Sequence, residues 1–300
     1  MLIVEIVGGL GNKMFQYAFY HKLKKYYPDN QVKIWLERFD KTYDNQGYEL
    51  QNVFGINKAP ILYNDDVSNL IDDSVDFFSR IRRKIFGRKE TFFLERIFRY
   101  DSKVFNLKNN KKIYFRGLWQ DELYFKDLRL DLLELFKFNE INLNADNLKV
   151  LKRINNSNSI SIHIRRGDYI SNEKYNHILG GVCSYSYYKE ALDLIQNKIA
   201  NTSLFIFSDD IDWVKTEFDF LSGHDLTFVN HNKGSNSHID MYLMSHCKHN
   251  IIANSSFSWW GAWLNMNESK IILAPEKWFK NNTRLEDNSI VPDSWIKIKN

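Results

Sequence analysis

Apolar positions along the chain fall into short β-branched runs, separated by longer stretches in which they recur every three or four residues. The runs Leu2–Val7, Val32–Leu36 and Ile113–Phe115 predict strands in the first half. Between the first two, Met14, Phe15, Ala18, Leu23 and Tyr26 recur at helical spacing. In the second half the alternation is regular. Ser159–Ile164, Leu204–Phe207, Leu226–Val229, Asn250–Ala253 and Ile271–Ala274 predict strands, and Tyr185–Ile199, Ile211–Phe220, His238–Cys247 and Ser258–Leu264 predict helices. Strand–helix alternation of this kind implies an α/β fold with a parallel sheet wrapped by helices. From about Asp40 to Asn110 no period dominates. The cluster Arg80-Ile81-Arg82-Arg83-Lys84 within it reads as a solvated helix face, with an acceptor or membrane contact as the alternative.

A chain of 300 residues at roughly 150 per domain implies two domains. The polar run Asn155-Asn156-Ser157-Asn158 places the division there, giving 1–154 and 155–300. Hydrophobic residues make up 44% and charged residues 26%, as in ordinary globular proteins. A net charge of +4 gives no support for nucleic-acid binding and suits a local pocket for an anion. Cys183 and Cys247 lack a metal or redox spacing, so they read as packing residues in a reducing compartment. No apolar run approaches the length of a membrane span and no leader is recognised, so a cytoplasmic location is expected.

Ligands of parallel sheets bind beyond the carboxyl ends of the strands. The residues there are Arg165-Arg166-Gly167-Asp168-Tyr169, Ser208-Asp209-Asp210, Asn230-His231 and Asn254-Ser255-Ser256-Phe257, all expected to line one crevice. Two adjacent arginines call for an anion, since the guanidinium fork matches phosphate oxygens. Strand alternation sends them to opposite sides: one meets ligand, the other pairs with Asp168 or another acid. Ser255 or Ser256 caps a helix whose free N–H groups also suit a phosphate. His163 is either a core histidine or a ligand contact. Asp240 is either a first-turn acid or a carboxylate that accepts the N1–H and N2–H of a guanine. Asp210-Ile211-Asp212 could hold a divalent metal, but helix capping is favoured, and the spacing of His238, His246 and His249 does not support a metal site. Gly8-Gly9-Leu10-Gly11-Asn12 is a tight loop that matches neither a P-loop nor a full dinucleotide fingerprint, although Glu37 could stand in for the ribose-binding acid. Gly9, Gly11 and Asn12 are better placed to approach a donor sugar or phosphate.

The segments Gly8–Ala18, His163–Tyr169, Ser208–Ile211 and Asn254–Trp263, in this order, resemble the α-1,2-fucosyltransferases of glycosyltransferase family 11, and the chain resembles their bacterial members. The resemblance implies a GT-B fold of two Rossmann-like domains facing each other across a cleft, an acceptor-side domain and a C-terminal domain that binds GDP-fucose. It implies an inverting, metal-independent hexosyltransferase without a cofactor. That enzyme would move L-fucose from GDP-β-L-fucose to the 2-hydroxyl of a terminal galactose in a surface glycan, or in its lipid-linked precursor in O-antigen or capsule synthesis. Nucleic acid is not an expected partner; a peripheral contact with the inner face of the cytoplasmic membrane is. By the same resemblance Arg165 holds the β-phosphate, His163 lies near the nucleotide and Asp240 reads the guanine. Asn254, Ser255, Ser256, Phe257, Gly9 and Gly11 complete the donor set, and Asn12 assists the leaving phosphate. Trp119, Gln120, Asp121 and Glu122, at a strand end, are the expected acceptor residues. The general base is not identified; Asp168, Asp121 and Glu122 are candidates. The unparsed region before Asn110 is expected to build the acceptor pocket.

Overall fold

Each half of the chain builds one parallel sheet. The computed structural model describes residues 1–36, 49–56, 67–107, 111–138, 143–280 and 289–300, and the backbone of 61–62. The two compact units are Met1–Lys137 and Phe138–Asn300. The expected division at 154 falls inside a helix, Ala145–Asn155, that belongs with the second unit. Its Asn147 amide donates to Asn232 Oδ1 at 2.8 Å and its Arg153 to Thr227 Oγ1 at 2.7 Å.

The first unit runs β1 (Leu2–Glu5), α1 (Leu10–Tyr26), β2 (Val32–Trp35), α2 (Glu49–Phe54), β3 (Ile61–Leu62), α3 (Phe77–Phe86), β4 (Phe92–Leu94), β5 (Ile113–Arg116) and α4 (Arg129–Leu135). The strand order is β3-β2-β1-β5-β4, every pair parallel. β1 is flanked on both sides, which explains why all four of its residues are buried. The one acid among them, Glu5, is compensated by Arg116, whose Nε donates to it at 2.8 Å. α1 starts earlier than its apolar spacing suggests. Leu10 is buried, Gly9 is the N-cap, and Gly11 and Asn12 lie in the first turn rather than in a loop. The reversal before it is made by Gly8, at φ 84°, where a Cβ would come within 2.9 Å of Asn12 Nδ2. Glu37 lies outside the described residues.

The second unit runs α5 (Ala145–Asn155), β6 (Asn158–Ile164), α6 (Gly167–Ser171), α7 (Glu173–Leu179), α8 (Tyr185–Gln196), β7 (Thr202–Ser208), α9 (Ile211–Glu217), β8 (Asp225–Val229), α10 (His238–His246), β9 (His249–Ile251), α11 (Ser256–Trp263), β10 (Ile272–Pro275) and β11 (Ile296–Ile298). Its order, β11-β10-β9-β6-β7-β8, is that of the doubly wound dinucleotide-binding fold, all parallel. Alternation along β6 divides its work. Ile160, Ile162 and Ile164 enter the apolar core with Tyr187, Tyr188, Ala191 and Leu192 of α8. Ser159 and Ser161 serve buried polar partners instead: Ser159 Oγ accepts from Lys248 N at 3.0 Å, and Ser161 Oγ from Asn250 Nδ2 at 2.7 Å. His163 continues that polar row to the end of the strand.

Candidate functional site

Strand order in the second sheet reverses direction between β6 and β9, and ligands of such sheets lodge beyond the carboxyl ends of the strands at that point. β6 carries His163 near its end and runs out into Arg165 and Arg166, and β9 leads into Asn254–Phe257 and the N-terminus of α11. The two strand ends are tied together. The Tyr169 hydroxyl donates to the Asn254 carbonyl at 2.9 Å, and the His163 and Phe257 rings are 5.9 Å apart.

The two arginines have separate settings, as alternation requires. Arg165 Nε and Nη2 both donate to Asp168 Oδ1, at 3.1 and 2.8 Å, and Nη1 lies 2.9 Å from Asp209 Oδ2. Its ring neighbour is Tyr169, at 5.8 Å. Burial opposes the charge of Arg165, but Asp209 and Asp168 hold its pKa above the ordinary value. Arg166 bonds Asp210 Oδ2 at 3.1 Å and lies over the Trp213 ring at 3.8 Å. Both arginines therefore have acidic partners. Three of the five N–H donors of Arg165 face these carboxylates, so an anion reaching it meets the two that remain or takes the place of Asp168 or Asp209.

His163 is 6% exposed, and its Nδ1 is buried with no hydrogen-bond partner among the described residues. Burial, helped by the Arg165 charge, pushes its imidazole down to about 4. It is neutral at physiological pH and retains one ring nitrogen as donor and one as acceptor. Ser255 is the N-cap of α11, its hydroxyl accepting from Phe257 N at 3.3 Å, while Ser256 opens the first turn. Asn254 faces inward: its amide donates to Trp278 O at 3.0 Å and Leu179 O at 3.2 Å, fixing the loop. The Asp210-Ile211-Asp212 pattern is a cap. Asp210 Oδ1 accepts from Trp213 N at 3.2 Å, and exposed Asp212 lies 3.7 Å from Lys215 Nζ.

A second polar group gathers after β8. Asn147 Oδ1 bonds His231 Nε2 at 2.8 Å and accepts from Asn232 Nδ2 at 2.9 Å; Asn232 also donates to Asp240 Oδ1 at 2.8 Å. Burial pushes the Asp240 carboxyl up to about 7, against the Asn232 hydrogen bond.

A match to the family model "Glycosyl transferase family 11" covers residues 89–299, well over half the chain. The chain belongs to glycosyltransferase family 11. It is 35% identical to an α-1,2-colitosyltransferase of Escherichia coli, over 100% of this chain and 99% of that protein. It is 34% identical to the E. coli O-antigen biosynthesis glycosyltransferase WbnK, covering 97% and 98%. It is also 25% identical to the human galactoside α-(1,2)-fucosyltransferase 1, over 35% of this chain and 28% of that one.

The reversal point of the first sheet of this glycosyltransferase lies between β1 and β5. Two of the expected residues meet there: the Gln120 amide donates to Asn12 Oδ1 at 2.7 Å. Gly9 has open space where a Cβ would stand, and Gly11 is buried. The other expected acceptor residues are placed differently. Trp119 is fully buried and stacks on Phe19, centroids 4.1 Å apart, so its ring faces the core. Asp121 accepts from Leu123 N and Tyr100 N, both at 2.8 Å, and acts as a cap. Glu122 is half-buried, and its charge acts on Arg129.

Two residues escaped the sequence. Gln16, fully buried, accepts from Val7 N at 2.8 Å and donates to Gly117 O at 3.0 Å, joining the ends of β1 and β5. Its signal was a polar side chain amid an apolar helical stretch. Glu95 follows β4. Its Oε2 accepts from Leu118 N at 2.6 Å and Trp119 N at 2.9 Å, bracing a turn in which Trp119 has φ 56°. Its Oε1 is buried with no partner among the described residues, and burial pushes the carboxyl up to about 7 despite those N–H bonds. Its strand lay in the stretch without a readable period.

Proposed function

We propose that this chain is an inverting galactoside 2-α-L-fucosyltransferase that draws fucose from GDP-β-L-fucose. In this reading the second unit takes the donor and the first the acceptor, in the GT-B manner. The observation that carries it is Arg165, at the reversal point of a dinucleotide-type sheet beside the N-terminus of α11 and the unpartnered Nδ1 of His163. Breaking the fucose–phosphate bond leaves charge on the β-phosphate. A guanidinium and helix N–H groups aimed there favour the transition state over the ground state. Asp240 would accept the guanine N1–H and N2–H. Arg165 and Arg166 bring the positive charge that other transferases draw from a metal, and Asp210 is already engaged as a cap and by Arg166, so the reaction is proposed to need neither metal nor cofactor.

The 1,2 linkage appears in the printed names of both the colitosyl and the fucosyl relatives, and the O-antigen relative supports a surface glycan or its lipid-linked precursor as acceptor. Full-length likeness to a colitosyltransferase favours one second reading: the same transfer with colitose in place of fucose. A cytoplasmic setting at the inner membrane face suits either.

Arg165→Ala is expected to keep its melting temperature within a few degrees and lose transfer by roughly 10²–10³-fold, the range for removing one anion-stabilising donor. The assay pairs GDP-fucose and GDP-colitose with a β-galactoside panel in EDTA, and NMR reads the linkage. Near-normal turnover in the variant, with wild type silenced by EDTA, would overturn the reading. Turnover with GDP-colitose alone would select the second.

A further inference from the structure

Helix α3 inverts the usual arrangement of a surface helix. It buries none of its residues, and its apolar side chains point outward: Phe77 is 69% exposed, Phe78 82%, Ile85 65% and Phe86 78%. Phe77, Ile81 and Ile85 follow at i, i+4 and i+8, with Phe78 beside them, so the exposed residues form a stripe. The polar side faces the protein. Arg82 and Arg83 pair with buried Asp72, Arg88 donates to its carbonyl, and Lys89 N donates to its carboxylate at 2.9 Å. Burial opposes the Asp72 charge, but these partners outweigh it and bring the carboxyl down to about 2.

The helix holds its shape by its ends. Asp76 caps the first turn, accepting from Ser79 N at 2.9 Å, and Gly87, at φ 75°, closes the last, its N–H donating to Arg83 O at 3.0 Å. Capping and ion pairs thus fix the helix without burying its apolar side. From Phe77 to Lys89 there are six basic residues and no acid, and Arg80 and Lys84 are exposed beside the stripe. No described helix is long and apolar enough to cross a membrane.

We propose that α3 is an interfacial docking helix, which lays Phe77, Phe78, Ile81 and Ile85 into the surface of an anionic phospholipid bilayer while Arg80 and Lys84 meet lipid phosphates. An apolar stripe rimmed by cations is the pattern of helices that lie in the headgroup layer. A second copy of the chain is the poorer occupant, because pairing two such faces brings two basic rims together. Of the Arg80–Lys84 cluster, Arg82 and Arg83 are tied to Asp72 while Arg80 and Lys84 are exposed, and of its two readings the proposal follows the membrane contact.

The test floats the intact chain, without donor or acceptor, with vesicles of phosphatidylglycerol and phosphatidylcholine and with phosphatidylcholine alone. Leaving out both substrates separates this result from the fate of the transferase reading. Wild type is expected to bind the anionic vesicles about tenfold more than the neutral ones. Phe78→Ser with Ile85→Ser should reduce that binding about tenfold at unchanged melting temperature, since both side chains are exposed. Arg80→Glu with Lys84→Glu should abolish the preference for anionic lipid. Absence of wild-type binding, or serine variants that bind as wild type, overturns the proposal. So does a dimer, seen by sedimentation velocity, that the serine variant dissolves.

Discussion

Asp240 carries its carboxyl half-buried, with one hydrogen bond from Asn232 to offset the loss of water. An unfolded aspartate ionises near about 4, whereas this one is raised to about 7. Between those values the folded chain keeps a proton that the unfolded chain has lost, so the residue costs stability progressively as pH rises through that window. Asp240→Asn removes this dependence. Its melting temperature should gain on wild type between about pH 5 and about pH 8. If the carboxylate reads guanine, wild-type affinity for GDP should also rise across pH 7, and that rise should disappear in the variant. Calorimetry on both proteins checks the two effects, and equal pH slopes would rule out the role. Asp240, Arg165 and His163 could be picked from the sequence because each lies near the end or the start of a predicted element: His163 near the end of its strand, Arg165 just beyond it and Asp240 in the first turn of a helix. Their partners could not. Nothing in the sequence shows that Arg165 rests on Asp209, just beyond β7, or that Asn147 of α5 organises the loop before Asp240.

Among the elements, α6 and α7 meet α8 through a turn that has no room for a side chain at Gly180. A Cβ on Gly180 would stand 2.6 Å from the Tyr169 carbonyl, a backbone atom that no rotamer change can move. Gly180→Ala should cost about 1–3 kcal/mol, the usual range for overpacking, and lower the melting temperature accordingly. It should also weaken donor binding, because Tyr169 joins α6 to the Asn254 loop. A variant as stable as wild type would show that the turn has slack. The elements that the sequence revealed are those rich in apolar positions: β1, α1, β2 and β5 in the first unit, and β6 to β10 with helices α8 to α11 in the second. α6 and α7 bury no residue and have no stripe to read. α5 buries Asn147 beside Val150 and Ile154, and the polar run Asn155-Asn156-Ser157-Asn158 that suggests a division is the end of this helix and the start of β6. α3 lies in the stretch where no period dominates, and its apolar side chains turn to solvent, so they mark no buried face.

At the scale of the whole molecule, a net charge of +4 says little, because the charge is segregated. Cations concentrate along α3 and just beyond it, while the strand-end cluster of the second unit holds two guanidinium groups against three carboxylates: Asp168, Asp209 and Asp210. Each sheet also reverses its strand order once, and some of the polar residues singled out from the sequence lie there: Asn12 and Gln120 in the first, His163, Arg165 and Ser255 in the second. Periodicity predicts the alternation and so the strand ends; the strand order that sets the reversal points is given by the fold.

The pairing of Arg165 with two aspartates affects how quickly a donor is captured as well as how tightly it is held. An open basic pocket draws in a diphosphate from a distance, and salt slows that approach. This cluster already sets carboxylates against its guanidinium groups, so little long-range field is available to screen. Stopped-flow association of GDP is expected to change by less than about threefold over a tenfold range of ionic strength. A steep decline with salt would mean that the aspartates swing clear of Arg165 before the nucleotide arrives.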